Sequence, residues 1–307
     1  MTARGTMFSV VIPTFNRGAK IGHAIDSVLE QTLQKFEIIV VDDGSDGTEQ
    51  LLRDKYGDRV RYFRGTGKGV AAARNLAIGH ATGEWVAFLD SDDWWYPTKL
   101  EKVAAAAKAH PEIGLFYSKM DLVDEVGRYI RTPPIRTRRD VYPAVAEGNF
   151  IFNSTAVIRK ECLDVAGAFD TRVSGCEDWE LMIRITRSFP ALLIDESLVA
   201  YELLSTGSLT RHHEKWVAAQ DEVAAKAIAD DPTLSADWIR RIRAGAAYAD
   251  GLVYLGAGQE RHALDAFKTA WRLNRRRWRA AVYVVLLSWK PWRLLLPRRA
   301  KVLLRLS

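Results

Sequence analysis

Short apolar, β-branched runs alternate with helical periodicity through the first 120 residues, and this alternation constrains the fold more than any other feature. Phe8–Ile12 is the first run, and Ala19–Leu33 then places Ile21, Ala24, Ile25, Val28 and Leu29 at helical spacing. Phe36–Val41 reads as a second buried strand, residues 48–56 as a helix, Val60–Phe63 as a strand and Gly69–His80 as an Ala-rich helix. Trp85–Leu89 is a further strand, Pro97 opens a helix through Ala109, and Ile113–Tyr117 returns to strand character. Alternation at this pace predicts an α/β domain with a mostly parallel central sheet flanked by helices.

Beyond that, Asp121–Val145 reads as a surface excursion rich in Pro and Arg. Ser154–Ile158 and Leu192–Tyr201 are candidate strands, with helices over Lys160–Ala166 and Glu177–Phe189. After Gly207 the pattern turns helical and Ala-rich, with breaks near Asp231-Pro232 and Gly256–Gly258. The sequence therefore divides into an α/β domain over 1–206, a C-terminal α-helical extension over 207–274 and a basic tail over 275–307.

Charge separates these parts. The net charge of +6 on 307 residues is unevenly spread, because residues 275–307 hold ten Lys or Arg and no acid. The remainder holds 34 basic and 38 acidic residues, which argues against a nucleic-acid-binding body. With 48% hydrophobic and 27% charged residues, the composition is globular. Cys162 and Cys176 cannot build a disulfide framework, and they point to a reducing, cytoplasmic compartment. Phe8–Ile12 is too short for a secretory signal core, and Ala280–Leu287 is far too short to span a bilayer.

Three acidic features carry the chemistry. Asp90-Ser91-Asp92-Asp93 directly follows a buried strand, where an open α/β sheet forms its ligand crevice. Crowded carboxylates repel one another, and hard cations such as Mg2+ or Mn2+ relieve that while taking further oxygens from phosphates. Asp42-Asp43-Gly44-Ser45 ends another strand, and its carboxylates suit a base or ribose as well as a turn and helix cap. Glu177 and Asp178 open an amphipathic helix, where acids complement the dipole or serve as a general base.

Other motifs fail on spacing. Gly65-Thr66-Gly67-Lys68-Gly69 has Tyr62 where a Walker A loop needs its first Gly, and Gly69 where it needs Ser or Thr. His212-His213-Glu214 lacks zinc-helix spacing, and no nucleophile elbow is present.

Four blocks in order complete the picture: Ser9–Asn16, Ile38–Ser45, Ala73–Ala77 and Gly83–Asp93. The series resembles glycosyltransferase family 2, whose members have the GT-A fold. That resemblance implies an inverting transfer of a sugar from a nucleotide diphosphate sugar, commonly a UDP-sugar, to a hydroxyl on a glycan or lipid-linked glycan. By the resemblance, Pro13, Thr14 and Phe15 cradle the base, Asp43 reads it, and Arg74 belongs to the nucleotide site. Asp90 lies near the ribose, Asp92 holds a divalent cation (Mn2+ or Mg2+), and Asp93 is a further metal or sugar contact. Asp178, with Glu177 before it, matches the catalytic base. Family members often carry Tyr-Arg-x-His after the last strand, whereas this chain has Tyr201-Glu202-Leu203-Leu204. Arg211, His212 or His213 from the following loop are the candidate substitutes for diphosphate contacts. The rival expectation is the same fold binding nucleotide sugar without turnover.

In the tail, Trp278, Val282, Val285 and Trp289 fall on one helical face beside Arg275, Arg276, Arg277 and Arg279. Arg and Trp around a short apolar core suit an interfacial helix on an anionic leaflet. The expected placement is peripheral, on the cytoplasmic face of a membrane, in cell-surface polysaccharide or glycolipid synthesis.

Overall fold

The computed structural model describes residues 6–135, 141–203 and 213–288. The chain divides into two compact units. The first contains Met1–Val141, Phe150–Arg172 and Glu177–Thr206; the second contains Tyr142–Asn149, Val173–Cys176 and Gly207–Ser307.

In the first unit the strands are β1 (Phe8–Thr14), β2 (Phe36–Asp42), β3 (Arg61–Arg64), β4 (Trp85–Phe88), β5 (Trp94–Trp95), β6 (Leu115–Val123), β7 (Tyr129–Arg131), β8 (Val157–Arg159) and β9 (Ala191–Glu202). The helices that accompany them are α1 (Gly18–Leu29), α2 (Thr48–Tyr56), α3 (Val70–His80) and α4 (Lys99–Ala109). After α5 (Val141–Glu147) come α6 (Lys160–Ala166) and α7 (Glu177–Ser188). The sheet order is β3-β2-β1-β4-β8-β6-β9-β5, with β7 on β6. Strands β3, β2, β1 and β4 are parallel, as the alternation predicts. The β-branched faces explain their burial: Val10, Ile12, Ile38 and Val40 are almost wholly enclosed and pack with Ile21, Ile25 and Val28 of α1.

The far half of the sheet is mixed, which the sequence pattern does not reveal. Strand β8 runs antiparallel to both β4 and β6, whereas β9 runs parallel to β6 and antiparallel to β5. This has a direct positional consequence. An antiparallel β8 begins at the carboxyl end of β4, so the turn Asn153–Thr155 that feeds it stands beside residues 90–93. The two-residue β5 pairs Trp94 and Trp95 with Ala200 and Val199, bringing the end of β9 to the other side of that loop. Asp121–Val145, read as an excursion, contains the end of β6, all of β7 and most of α5.

The second unit is helical: α8 (His213–Ala229), α9 (Ala236–Gly256), α10 (Glu260–Leu273) and α11 (Trp278–Ser288). Ser235 caps α9, its Oγ accepting the Trp238 N–H at 3.3 Å. Phe267 packs with Ala263, Ala270, Ala280 and Tyr283, and its ring stacks on Tyr283 at 4.4 Å. Arg241 and Arg277 both bind the carboxylate of Glu147, at 2.7 and 3.2 Å. Helix α11 buries Ala280 and Tyr283 and leaves Trp278, Val282 and Val285 exposed. No described helix is long and apolar enough to cross a membrane. Trp289 and the remainder of the tail lie outside the described residues.

Candidate active site

The segment expected to cradle the base is the end of β1. Pro13 and Thr14 are buried in the sheet, whereas Phe15 is 64% exposed. The Thr14 hydroxyl is buried with no hydrogen-bond partner among the described residues. Its carbonyl accepts the Asp43 N–H at 3.0 Å, which joins the β1 and β2 ends. Asn16 takes a left-handed φ of 52°, tolerable for its short polar side chain, and its Oδ1 accepts the Ser45 N–H at 2.8 Å.

Asp42 and Asp43 divide the work. Asp42 is buried, its Oδ1 accepting the Gly44 N–H at 2.7 Å and its Oδ2 the Tyr62 hydroxyl at 3.2 Å. Asp43 is half-buried, and its Oδ1 accepts the Gly67 N–H at 2.8 Å. Gly65 permits this arrangement: a Cβ there would stand 2.0 Å from Asp43 Oδ1. The Gly65–Gly69 segment thus supports Asp43 through the Gly67 N–H.

The loop after β4 sends its three carboxylates in different directions. Asp90 Oδ1 accepts from Arg74 Nη2 at 2.7 Å and from Asn153 Nδ2 at 3.2 Å. Asp92 pairs with Arg17, Nη1 to Oδ2 at 2.6 Å. Asp93 turns inward and is 2% exposed: the Ser154 hydroxyl donates to its Oδ2, and the Glu202 N–H to its Oδ1 at 3.2 Å. Burial, then the nearby Asp92 and Asp90, push the Asp93 carboxyl well above the usual range. The Asn153–Thr155 turn that holds this loop is itself held from below. Lys99 is fully enclosed, and its Nζ donates to the Thr155 carbonyl at 3.0 Å from over the Trp95 ring. Burial alone drives its ammonium down to about 7.

Arg74 connects this loop to α7. It is 4% exposed on α3, with Nη2 on Asp90 and Nη1 on Glu177 Oε1 at 2.8 Å, above the Phe169 ring. Burial opposes its charge, but Asp90 and Glu177 outweigh that and hold it above the ordinary guanidinium value. Next to Glu177, Asp178 Oδ1 accepts the Trp179 N–H at 2.7 Å. Burial first, then Glu177, push the Asp178 carboxyl up to about 7, with Arg74 partly offsetting them. The half-buried Tyr201 phenol is raised by burial and then by Asp93, Asp90, Asp92 and Asp178. Four of the sequence-predicted acids thus act on one phenol.

Arg17, Asn153, Ser154 and Lys99 complete the site without a motif to announce them. Arg17 directly follows the Pro13–Asn16 block, which is the one available signal. Arg211 and His212 lie outside the described residues. Among the described residues no group of three or more metal-binding side chains converges. The donor set nevertheless fits a hard divalent cation, since Asp92 is accessible and such cations use one or two carboxylates together with substrate phosphates.

A mixed α/β sheet flanked by helices, with acids at its strand ends, defines a GT-A-like fold. The chain belongs to glycosyl transferase family 2, whose sequence model matches residues 9–165. An uncharacterized glycosyltransferase of Haemophilus influenzae is 30% identical over 198 residues, covering 62% of this chain and 67% of the relative. The matched segment spans only 33% of a Rickettsia felis glycosyltransferase. Two solved structures share the fold. TarS 1–349 of S. aureus, in complex with UDP-GlcNAc, has a TM-score of 0.64 at 19% identity, covering 87% of this chain and 81% of that one. The mannosyltransferase PcManGT from Pyrobaculum calidifontis, in complex with GDP-Man and Mn2+, has a TM-score of 0.62 at 22% identity, covering 99% and 87%.

Proposed function

We propose that this protein transfers a sugar from a nucleotide diphosphate sugar, with UDP-sugars the first donors to test, to an acceptor hydroxyl with inversion. The observation that carries this reading is the Arg74 bridge: one guanidinium binds Asp90 of the β4 loop and Glu177 of α7. Asp178, an acid raised to about 7, directly follows Glu177 and feels both Arg74 and Asp90, which supports this reading. A carboxylate titrating there accepts the hydroxyl proton as the oxygen attacks the anomeric carbon. One displacement on the face opposite the departing diphosphate inverts the centre, and one base suffices.

The other roles follow from position. Exposed Phe15 stacks on the base, and Asp43 Oδ2 accepts its N–H while Gly67 holds Oδ1. Asp90 takes a ribose hydroxyl. Asp92 is the carboxylate that holds a divalent cation, Mn2+ or Mg2+. Such a cation, when bound, neutralises charge gathering on the diphosphate. Asp93, engaged at both oxygens, shapes the loop in place of reaching the cation. Thermal-shift screening against UDP- and GDP-sugars with and without Mn2+ tests donor binding, and release of nucleoside diphosphate tests turnover. Stabilisation by donor with no release in the presence of candidate acceptors would favour a binding module.

We also propose that the tail attaches the protein to the cytoplasmic face of a membrane, near a glycan or lipid-linked acceptor. The exposed Trp278, Val282 and Val285 beside Arg275, Arg276 and Arg279 support this reading. Flotation with vesicles containing anionic lipid should carry the full chain, and Val285→Asp should reduce that several-fold. Equal flotation of both proteins would end the idea.

A further inference from the structure

The acids of the β4 loop and the end of β9 are answered by the beginning of α1. Arg17 binds Asp92 at 2.6 Å, and one turn later Lys20 binds Glu202 through its Nζ. Glu202 is 9% exposed, and its backbone N–H holds Asp93. The described end of β9 therefore brings an acid to this corner, and the positive charge comes from α1.

Arg17 and a divalent cation make the same demand on Asp92. Arg17 Nη1 stands 2.6 Å from Oδ2, a close charge-assisted contact on the oxygen a cation would use. Two positive charges at one carboxylate oxygen repel strongly in a partly enclosed site. Arg17 is also placed between the two ends of the donor site assigned above. It lies two residues after Phe15, on the base side, and it touches Asp92, on the diphosphate side. The guanidinium is a planar fork that matches phosphate oxygens as well as it matches a carboxylate. Lys20 pairs with the buried Glu202, whereas Arg17 pairs with Asp92, the acid assigned to the cation.

Building on the donor-site reading above, we propose that Arg17 is an exchange residue. It holds Asp92 in the empty site, and when a divalent cation takes Asp92 it moves onto the diphosphate of the donor. Donor and cation then enter cooperatively, because each removes a competitor from the other's site.

The experiment uses the full chain and its Arg17→Gln and Arg17→Lys variants. Mn2+ binding without nucleotide is followed by electron paramagnetic resonance, and UDP and UMP binding with Mn2+ by calorimetry. Arg17→Gln should bind Mn2+ about threefold more tightly without nucleotide, since its competitor is gone. It should bind UDP about tenfold more weakly with Mn2+, with a smaller loss for UMP, and Arg17→Lys should recover part of the UDP loss. Unchanged or weaker Mn2+ binding in Arg17→Gln overturns the proposal. So do equal losses for UDP and UMP, the mark of a loosened site. GDP and GMP replace the uridine nucleotides if the wild type prefers guanine. A wild type that binds none of these with Mn2+ overturns the donor-site reading and the exchange with it. A wild type that binds, beside an Arg17→Gln that behaves identically, overturns the exchange alone.

Discussion

The loop after β4 and the start of α7 both crowd carboxylates against the interior, yet they treat them differently. In the loop, Asp93 is buried deepest, with Ser154 on one oxygen and the Glu202 N–H on the other. At α7, Asp178 lies beside Glu177, whose own charge is met by Arg74. Burial raises both acids, but fixed donors on both oxygens hold Asp93 in a structural position. Asp178 is raised to about 7, which is where the proposed general base would be most effective. Burial alone therefore does not identify a base.

Five experiments sharpen or break this contrast. Asp178→Asn should lower kcat by about 10³-fold or more with little change in donor KM, measured from initial rates. An equal loss in Asp93→Asn would erase the distinction. Asp92→Asn should remove the Mn2+ dependence of nucleotide binding and slow turnover by about 10²-fold. Thermal shifts that still respond to Mn2+ would remove Asp92 from the cation site. The rate of the wild type should fall about tenfold per pH unit below about 7 and level off above it, as Asp178 loses its proton. A pH-independent rate from 5.5 to 8 would assign the proton elsewhere. The same titration has a stability signature. A raised folded-state pKa means the native protein binds the proton more tightly than the unfolded chain, so stability falls as pH rises from about 4 to about 7. Asp178→Asn should therefore melt higher than wild type at pH 8. The smallest effect is at Asp93: Asp93→Asn should cost about 1–3 kcal/mol of stability, read from denaturant midpoints, because an amide cannot satisfy both donors.

The parallel half of the sheet was legible because its strands are continuous apolar runs and its helices are long enough to show periodicity. Asp90, Asp92 and Arg74 stand out as candidates because they belong to ordered blocks, and Asp178 because it opens an amphipathic helix. What escaped has a common physical cause. Two-residue β5 and the three-residue β7 and β8 are too short for any period to register, and strand direction leaves no mark on composition. The direction of β8 in turn decides that Asn153 and Ser154 meet the β4 loop. Nor does the sequence distinguish Asp92 from Asp93. Their adjacency gives them opposite facings, and only Ser154 and Glu202, distant in the chain, settle which turns inward.

The Arg74 bridge also bears on the timetable of the reaction. A group bound at Asp90 would change what Arg74 meets there, and one guanidinium connects that change to Glu177. Because Glu177 helps set the proton affinity of its neighbour Asp178, the proposed base would be tuned by what has already arrived at the other end of the bridge. Steady-state kinetics would then show compulsory order, with the sugar nucleotide first on and its nucleotide product last off.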